Sequence, residues 1–161
     1  MPSMLMIGKA LKEEFPFDDK YRFYIGSDEE NGDYVSFNRG MEALSDAIVL
    51  WDLISPQVRQ EFEGFVRNEI EVEWNEFETG GYRVTVEQTK RLLEMIDDID
   101  LKVDRFVDAP GKVLPEHYDF VSKRIGLHTG NDRIGRMMTN VYWLKAFMRK
   151  AVELNYELAF G

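Results

Sequence analysis

Val141-Tyr142-Trp143-Leu144-Lys145-Ala146-Phe147-Met148 is apolar on nearly every side when wound as a helix. A helix hydrophobic all round belongs in the middle of a bundle, because any other position leaves one of its faces in water. Thr129-Gly130-Asn131-Asp132 offers the start of this helix, which is expected to run to about Glu157. The segment is therefore the expected central core element. Truncating an enclosed Trp143 or Phe147 to alanine should cost about 3–5 kcal/mol.

Working outward, Lys20-Tyr21-Arg22-Phe23-Tyr24-Ile25 alternates, with Tyr21, Phe23 and Ile25 on one side, and Tyr34-Val35-Ser36-Phe37 is a second short β-like run. Between them Ser27-Asp28-Glu29-Glu30-Asn31-Gly32-Asp33 is rich in turn formers and contains Asn-Gly, so the whole reads as a hairpin with an acidic loop. From about Arg39 to Ile54, Leu44, Ala47, Ile48, Trp51 and Ile54 recur at helical spacing. Ser55-Pro56 pairs an N-cap with a first-turn proline and starts a second helix striped by Phe62, Phe65, Val66 and Ile70.

Glu69-Ile70-Glu71-Val72-Glu73-Trp74 fits both periods. It alternates like a strand, yet Phe62, Val66, Ile70, Trp74 and Phe77 continue the helical series. The half-buried ladder composition and Thr79-Gly80-Gly81 before Tyr82-Arg83-Val84 favour a second hairpin. Thr85-Val86-Glu87-Gln88 matches a capping box and opens a helix with Leu92, Ile96, Ile99 and Val103 on one face, stopped by Pro110-Gly111. Pro115 opens a shorter helix with Tyr118, Val121 and Ile125 inward and Gly126 past its end. These elements make a single α+β domain over 1–161, a helix-dominated bundle of about five helices with one or two small antiparallel hairpins on its flank.

The 161 residues are 44% apolar and 13% aromatic, too apolar for a disordered chain. Cysteine is absent, which excludes disulfides, thiolate metal sites and thiol nucleophiles. Lys and Arg number 20 against 30 Asp and Glu, for a net charge of −10. That charge repels a phosphate backbone and an anionic membrane, so neither nucleic acid nor a membrane is an expected partner. No apolar run is long enough to span a bilayer, and the patch in Met1–Lys9 has no basic region before it; with cysteine absent, a cytoplasmic location is expected.

Asp97, Asp100, Asp104 and Asp108 are spaced by three, four and four, so a continuous helix would line them along one face. Asp98–Lys102 and Arg105–Asp108 are the obvious local pairs of opposite sign, which leaves Asp97, Asp100 and Asp104 without a cation in their own helix. Their relief must come from Lys or Arg elsewhere in the chain (Arg133 and Arg136 are examples), from a basic partner, from a divalent metal, or from water alone. In the acidic loop, Glu29, Asn31 and Gly32 fall where a calcium loop wants them. Ser27 and Asn38 fail at its first and last places, and the flanks read as strands; that site is rejected.

Catalytic signatures are thin. His117 and His128 stand on different elements, phosphate-cradling glycine loops are missing, and no serine sits on a strand-to-helix elbow. No cofactor and no metal is expected. The favoured reading is a non-catalytic acidic domain that binds a basic protein partner, as inhibitors and immunity or antitoxin proteins do against toxic nucleases. Its candidate contact residues are Asp97, Asp100, Asp104 and Asp108, with Asp28, Glu29 and Glu30 of the loop. The alternatives are a small carboxylate-dependent enzyme, with or without a metal, and a structural or oligomer-forming domain. Tyr21, Tyr24, Tyr34, Tyr82, Tyr142 and the rings of Phe15-Pro16-Phe17 are further contact candidates.

Overall fold

A computed structural model describes residues 4–8, 11–15, 22–29, 32–70, 82–108, 112–125 and 133–160. The elements run β1 (Met4–Ile7), α1 (Leu11–Glu14), β2 (Phe23–Asp28), β3 (Gly32–Phe37), α2 (Gly40–Ile54), α3 (Pro56–Phe65) and a π-helical turn (Val66–Ile70). Then follow β4 (Tyr82–Val84), α4 (Val86–Ile96), α5 (Ile99–Val103), 3-10 turns at Asp104–Phe106 and Pro115–His117, α6 (Tyr118–Ile125), α7 (Arg133–Leu154) and β5 (Leu158–Phe160). The expected helix-dominated α+β fold is what the structure shows.

α7 occupies the middle, packed against α2 and α4. Leu144, Phe147, Met148 and Ala151 are all fully buried. On the other side of Phe147 lies the sheet. The ring stacks on Phe23 of β2 at 5.9 Å and meets Phe37 of β3 at 5.4 Å, while Phe23 and Phe37 are 5.1 Å apart. Phe15 closes the cluster edge-on to Phe23 and Phe147, buried rather than presented from a loop. Trp143 is only half-buried; it meets Phe23 edge-on at 5.8 Å at the margin of this cluster.

The strands form one antiparallel sheet in the order β2-β3-β1-β5-β4. The expected β2–β3 hairpin is present, closed through Gly32 at φ 67°, a conformation glycine adopts without steric cost. The remainder of the sheet departs from expectation. β4 pairs with β5, the last strand of the chain, with Val84 opposite Leu158. β5 in turn pairs with β1, the first strand, with Met6 opposite Leu158. Helical structure continues through Ile70, whereas residues 71–81, where the second hairpin was expected to begin and turn, lie outside the described residues. Gly40 lets α2 start directly against the sheet: a Cβ there would lie 2.4 Å from the Cβ of Met4.

Local signals hold where the sequence carries them. Thr85 and Gln88 form the reciprocal capping box, with Gln88 N–H donating to Thr85 Oγ1 at 3.1 Å and Thr85 N–H donating to Gln88 Oε1 at 3.0 Å. Ser55 Oγ accepts from Val58 N–H at 3.4 Å. α7 ends at Leu154, earlier than the expected Glu157, because Asn155 turns left-handed at φ 60°. Tyr156 N–H then reaches back to Ala151 C=O at 2.9 Å and Asn155 N–H to Val152 C=O at 3.1 Å, a Schellman cap that aims the chain into β5. In α6, Val121 faces the core but Tyr118 is exposed, against the expectation that both point inward.

Candidate functional site

The aspartate ridge is not one helical face. α4 stops at Ile96, Asp97 and Asp98 form a turn, and the chain resumes as the short α5 and a 3-10 turn. Aspartate is a weak helix former, and like charges at helical spacing add to the cost of continuing. The break exposes a carbonyl at Asp97, and α7 supplies its donor. Lys145 is only 5% exposed, and its Nζ donates to Asp97 C=O at 2.9 Å and to Asp100 Oδ1 at 2.9 Å. One turn further along α7, Arg149 donates to Asp97 Oδ1.

This corrects the expectation that Asp97 and Asp100 lack cations. Both are paired within the molecule, by Lys145 and Arg149 rather than by Arg136, while the side chain of Arg133 lies outside the described residues. Burial pushes the Asp100 carboxyl up, but the Lys145 hydrogen bond and charge, with backbone donors, more than offset it and hold it below the ordinary 3.8. Asp98 pairs with Lys102 at 3.2 Å as expected, and that ammonium also sits 5.1 Å over the Trp51 ring.

Asp104 and Asp108 remain at the surface. Among the described residues no ion pair reaches Asp104. Asp108 Oδ1 accepts from Lys112 N–H at 3.0 Å beside the Val107–Val113 bridge; the expected Arg105–Asp108 ion pair is absent among the described residues, and Arg105 lies 4.5 Å from the centre of the Phe106 ring. Near this stretch are two exposed apolar side chains, Leu101 at 72% and Phe120 at 51%, the latter stacked on Phe106 at 5.9 Å.

The hairpin is the second acidic place. Asp28, Glu29 and Asp33 are all exposed, and Glu30 lies outside the described residues. No lysine or arginine occurs from Phe23 to Asn38. Tyr24 on β2 is 58% exposed, and its ring lies 6.4 Å from that of the half-buried Tyr34. The ridge and the hairpin are different places in the fold: the ridge packs on α7 through Lys145 and Arg149, whereas the hairpin is formed by β2 and β3 at one side of the sheet.

A cavity of about 300 Å³ lies between α2, α3 and the π-helical turn, lined by Ser45, Ile48, Val49, Glu63, Val66 and Arg67. Glu63 already holds Arg59 at 2.8 Å and Arg67 at 2.6 Å. Among the described residues no group of three or more His, Asp or Glu side chains is placed to hold a metal ion, and no helix is long and apolar enough to cross a membrane. His117 packs edge-on against Phe106 at 5.4 Å, and His128 lies outside the described residues. Sequence reading missed Lys145 and Arg149; the available signal was a lysine inside an otherwise apolar run, which needs a partner brought from elsewhere. Comparison of the chain with protein-family models, curated proteins and solved structures finds no match.

Proposed function

We propose that the chain is a non-catalytic acidic domain that binds a basic protein partner, in the manner of an inhibitor or an immunity or antitoxin protein facing a toxic nuclease. The observation supporting this reading is the hairpin tip. Asp28, Glu29 and Asp33 are exposed at the turn end of the hairpin, and Tyr24 is exposed further along β2. Exposed carboxylates at one end of a hairpin and an exposed aromatic along it suit a positively charged surface with an apolar anchor. Asp104 and Asp108 provide a second acidic place. Asp97 and Asp100 leave the set of recruiting residues, because α7 already neutralises them. The same pairing weakens the carboxylate-enzyme reading at that ridge: Lys145 keeps Asp100 ionised, the opposite of what a general acid at neutral pH requires.

The test is a thermal-shift and calorimetric titration of the chain against a panel of basic nuclease domains in low and high salt. At least one should raise Tm in low salt. The gain should shrink in high salt and in the combined Asp28→Asn, Glu29→Gln, Asp33→Asn variant. No shift with any basic domain in low salt, or a shift indifferent to the three substitutions, overturns the reading.

A further inference from the structure

β2 is one of the two outer strands of the described sheet, with β4 at the opposite side. Asn38 N–H donates to Arg22 C=O at 2.9 Å, which fixes the phase of the β2–β3 ladder. Antiparallel pairs alternate between hydrogen-bonded and non-hydrogen-bonded positions. With Tyr24 opposite Ser36 and Gly26 opposite Tyr34, the even-numbered residues of β2 bond to β3. The N–H and C=O groups of Ile25 and Ser27 therefore point away from the sheet. Among the described residues no strand lies beyond them. Phe23–Asp28 contains no proline and no lysine, its one charged residue is Asp28 at the end of the strand, and its pairing with β3 runs without a bulge.

The surroundings of the edge are apolar and aromatic. Tyr24 is 58% exposed, Ile25 38% and Tyr142 of α7 58%. Tyr142 meets Trp143 edge-on at 5.3 Å, and Trp143 meets Phe23 at 5.8 Å, so α7 flanks the core side of β2 with two aromatic rings. Asp28 and Glu29 stand at the C-terminal end of the strand, with Asp33 across the hairpin.

We infer that the β2 edge is a strand-addition site for an extended segment of a protein partner, basic at its N-terminal end and apolar at alternate positions after it. A row of backbone donors and acceptors at an edge is matched in register by another extended backbone, which sets the form of the occupant. Every pairing in this sheet is antiparallel, so an added strand running the same way brings its N-terminal residues to Asp28 and Glu29. Its alternate side chains then fall on the Ile25 side, beside Trp143 and Tyr142, and on the Tyr24 side. A net charge of −10 on each copy favours a basic partner over a second copy of this chain. The inference rests on the basic-partner reading and adds the mode of attachment.

The experiment uses the full chain, isotope-labelled, with a synthetic peptide of two lysines followed by alternating valine and threonine. Amide spectra and hydrogen exchange are recorded on titration. The amides of Ile25 and Ser27 should shift and gain about tenfold or more protection. N-methylating alternate peptide nitrogens in one register should weaken binding about tenfold, and in the other register leave it unchanged, without any change to the protein. Replacing the two lysines by serines should weaken binding as well. Binding that ignores both N-methylation registers overturns strand addition and leaves the basic-partner reading standing. Equal binding of the serine peptide overturns the demand for a basic segment. No binding at about 1 mM peptide overturns the site. Concentration-dependent protection of Ile25 and Ser27 with no peptide present makes a second copy the occupant and overturns the assignment.

Discussion

Lys145 ties the break between α4 and α5 to α7. Its ammonium is nearly enclosed and holds both the Asp97 carbonyl and the Asp100 carboxylate. Lys145→Met keeps the bulk but leaves the carbonyl without its donor and the carboxylate without its cation, so a loss of about 1–3 kcal/mol is expected in denaturant unfolding. An unchanged midpoint would show that water satisfies both groups equally well. The acid limb gives a second test. Lys145 holds the Asp100 carboxyl below its ordinary value, so the unfolded chain binds the proton more readily than the folded one. The stabilisation is present above the ordinary value of 3.8 and is lost as pH falls through the lower folded value. Wild-type stability should therefore decline below about pH 4 more steeply than that of Lys145→Met, as measured by thermal melts across that range. This pairing was not legible in the sequence. Lys145 and Asp100 are 45 positions apart, and nothing in either local pattern names the other.

At the scale of elements, short-range rules were readable and long-range pairing was not. The Thr85–Gln88 box and the Ser55-Pro56 start depend on groups three residues apart, and both form as read. Thr85→Ala should cost about 0.5–2 kcal/mol, visible in urea unfolding with an unchanged m-value. α7 was identified as the centre because its apolar residues exceed one face, and Phe147 is fully buried against Phe23 and Phe37. Phe147→Ala should cost about 3–5 kcal/mol, whereas Trp143→Ala, at the margin, should cost distinctly less. Equal losses would place the centre of the cluster elsewhere. The ridge failed as a helix reading because spacing alone does not show where aspartates and their mutual repulsion stop a helix. β1 and β5 were invisible for a different reason. Strands of four and three residues carry too few positions to show a period.

At the scale of the whole molecule, β1 and β5 pair in the interior of the sheet although they are more than 150 residues apart in sequence. β5 lies between β1 and β4, so Leu158–Phe160 is what joins the first strand to the strand before α4. Deleting 158–161 should leave β4 without its described ladder partner and β1 with β3 alone, uncover Met6 and Val84, both buried in the intact fold, and lower Tm. A shortened chain that melts like the full one would show that the bundle alone holds the fold. The acidic surface is likewise a property of the whole, legible as a charge sum but not as a place. Two of the four ridge aspartates are paired by α7, and Asp28, Glu29 and Asp33 are exposed on the hairpin. The most direct test of the account is the salt dependence of affinity for a basic nuclease domain that binds, measured for the wild type and for the combined Asp28→Asn, Glu29→Gln, Asp33→Asn variant. Wild-type affinity should fall steadily with rising salt, and the variant should bind at least about tenfold more weakly in low salt with a flatter dependence. Equal affinities and equal slopes for the two proteins would contradict it.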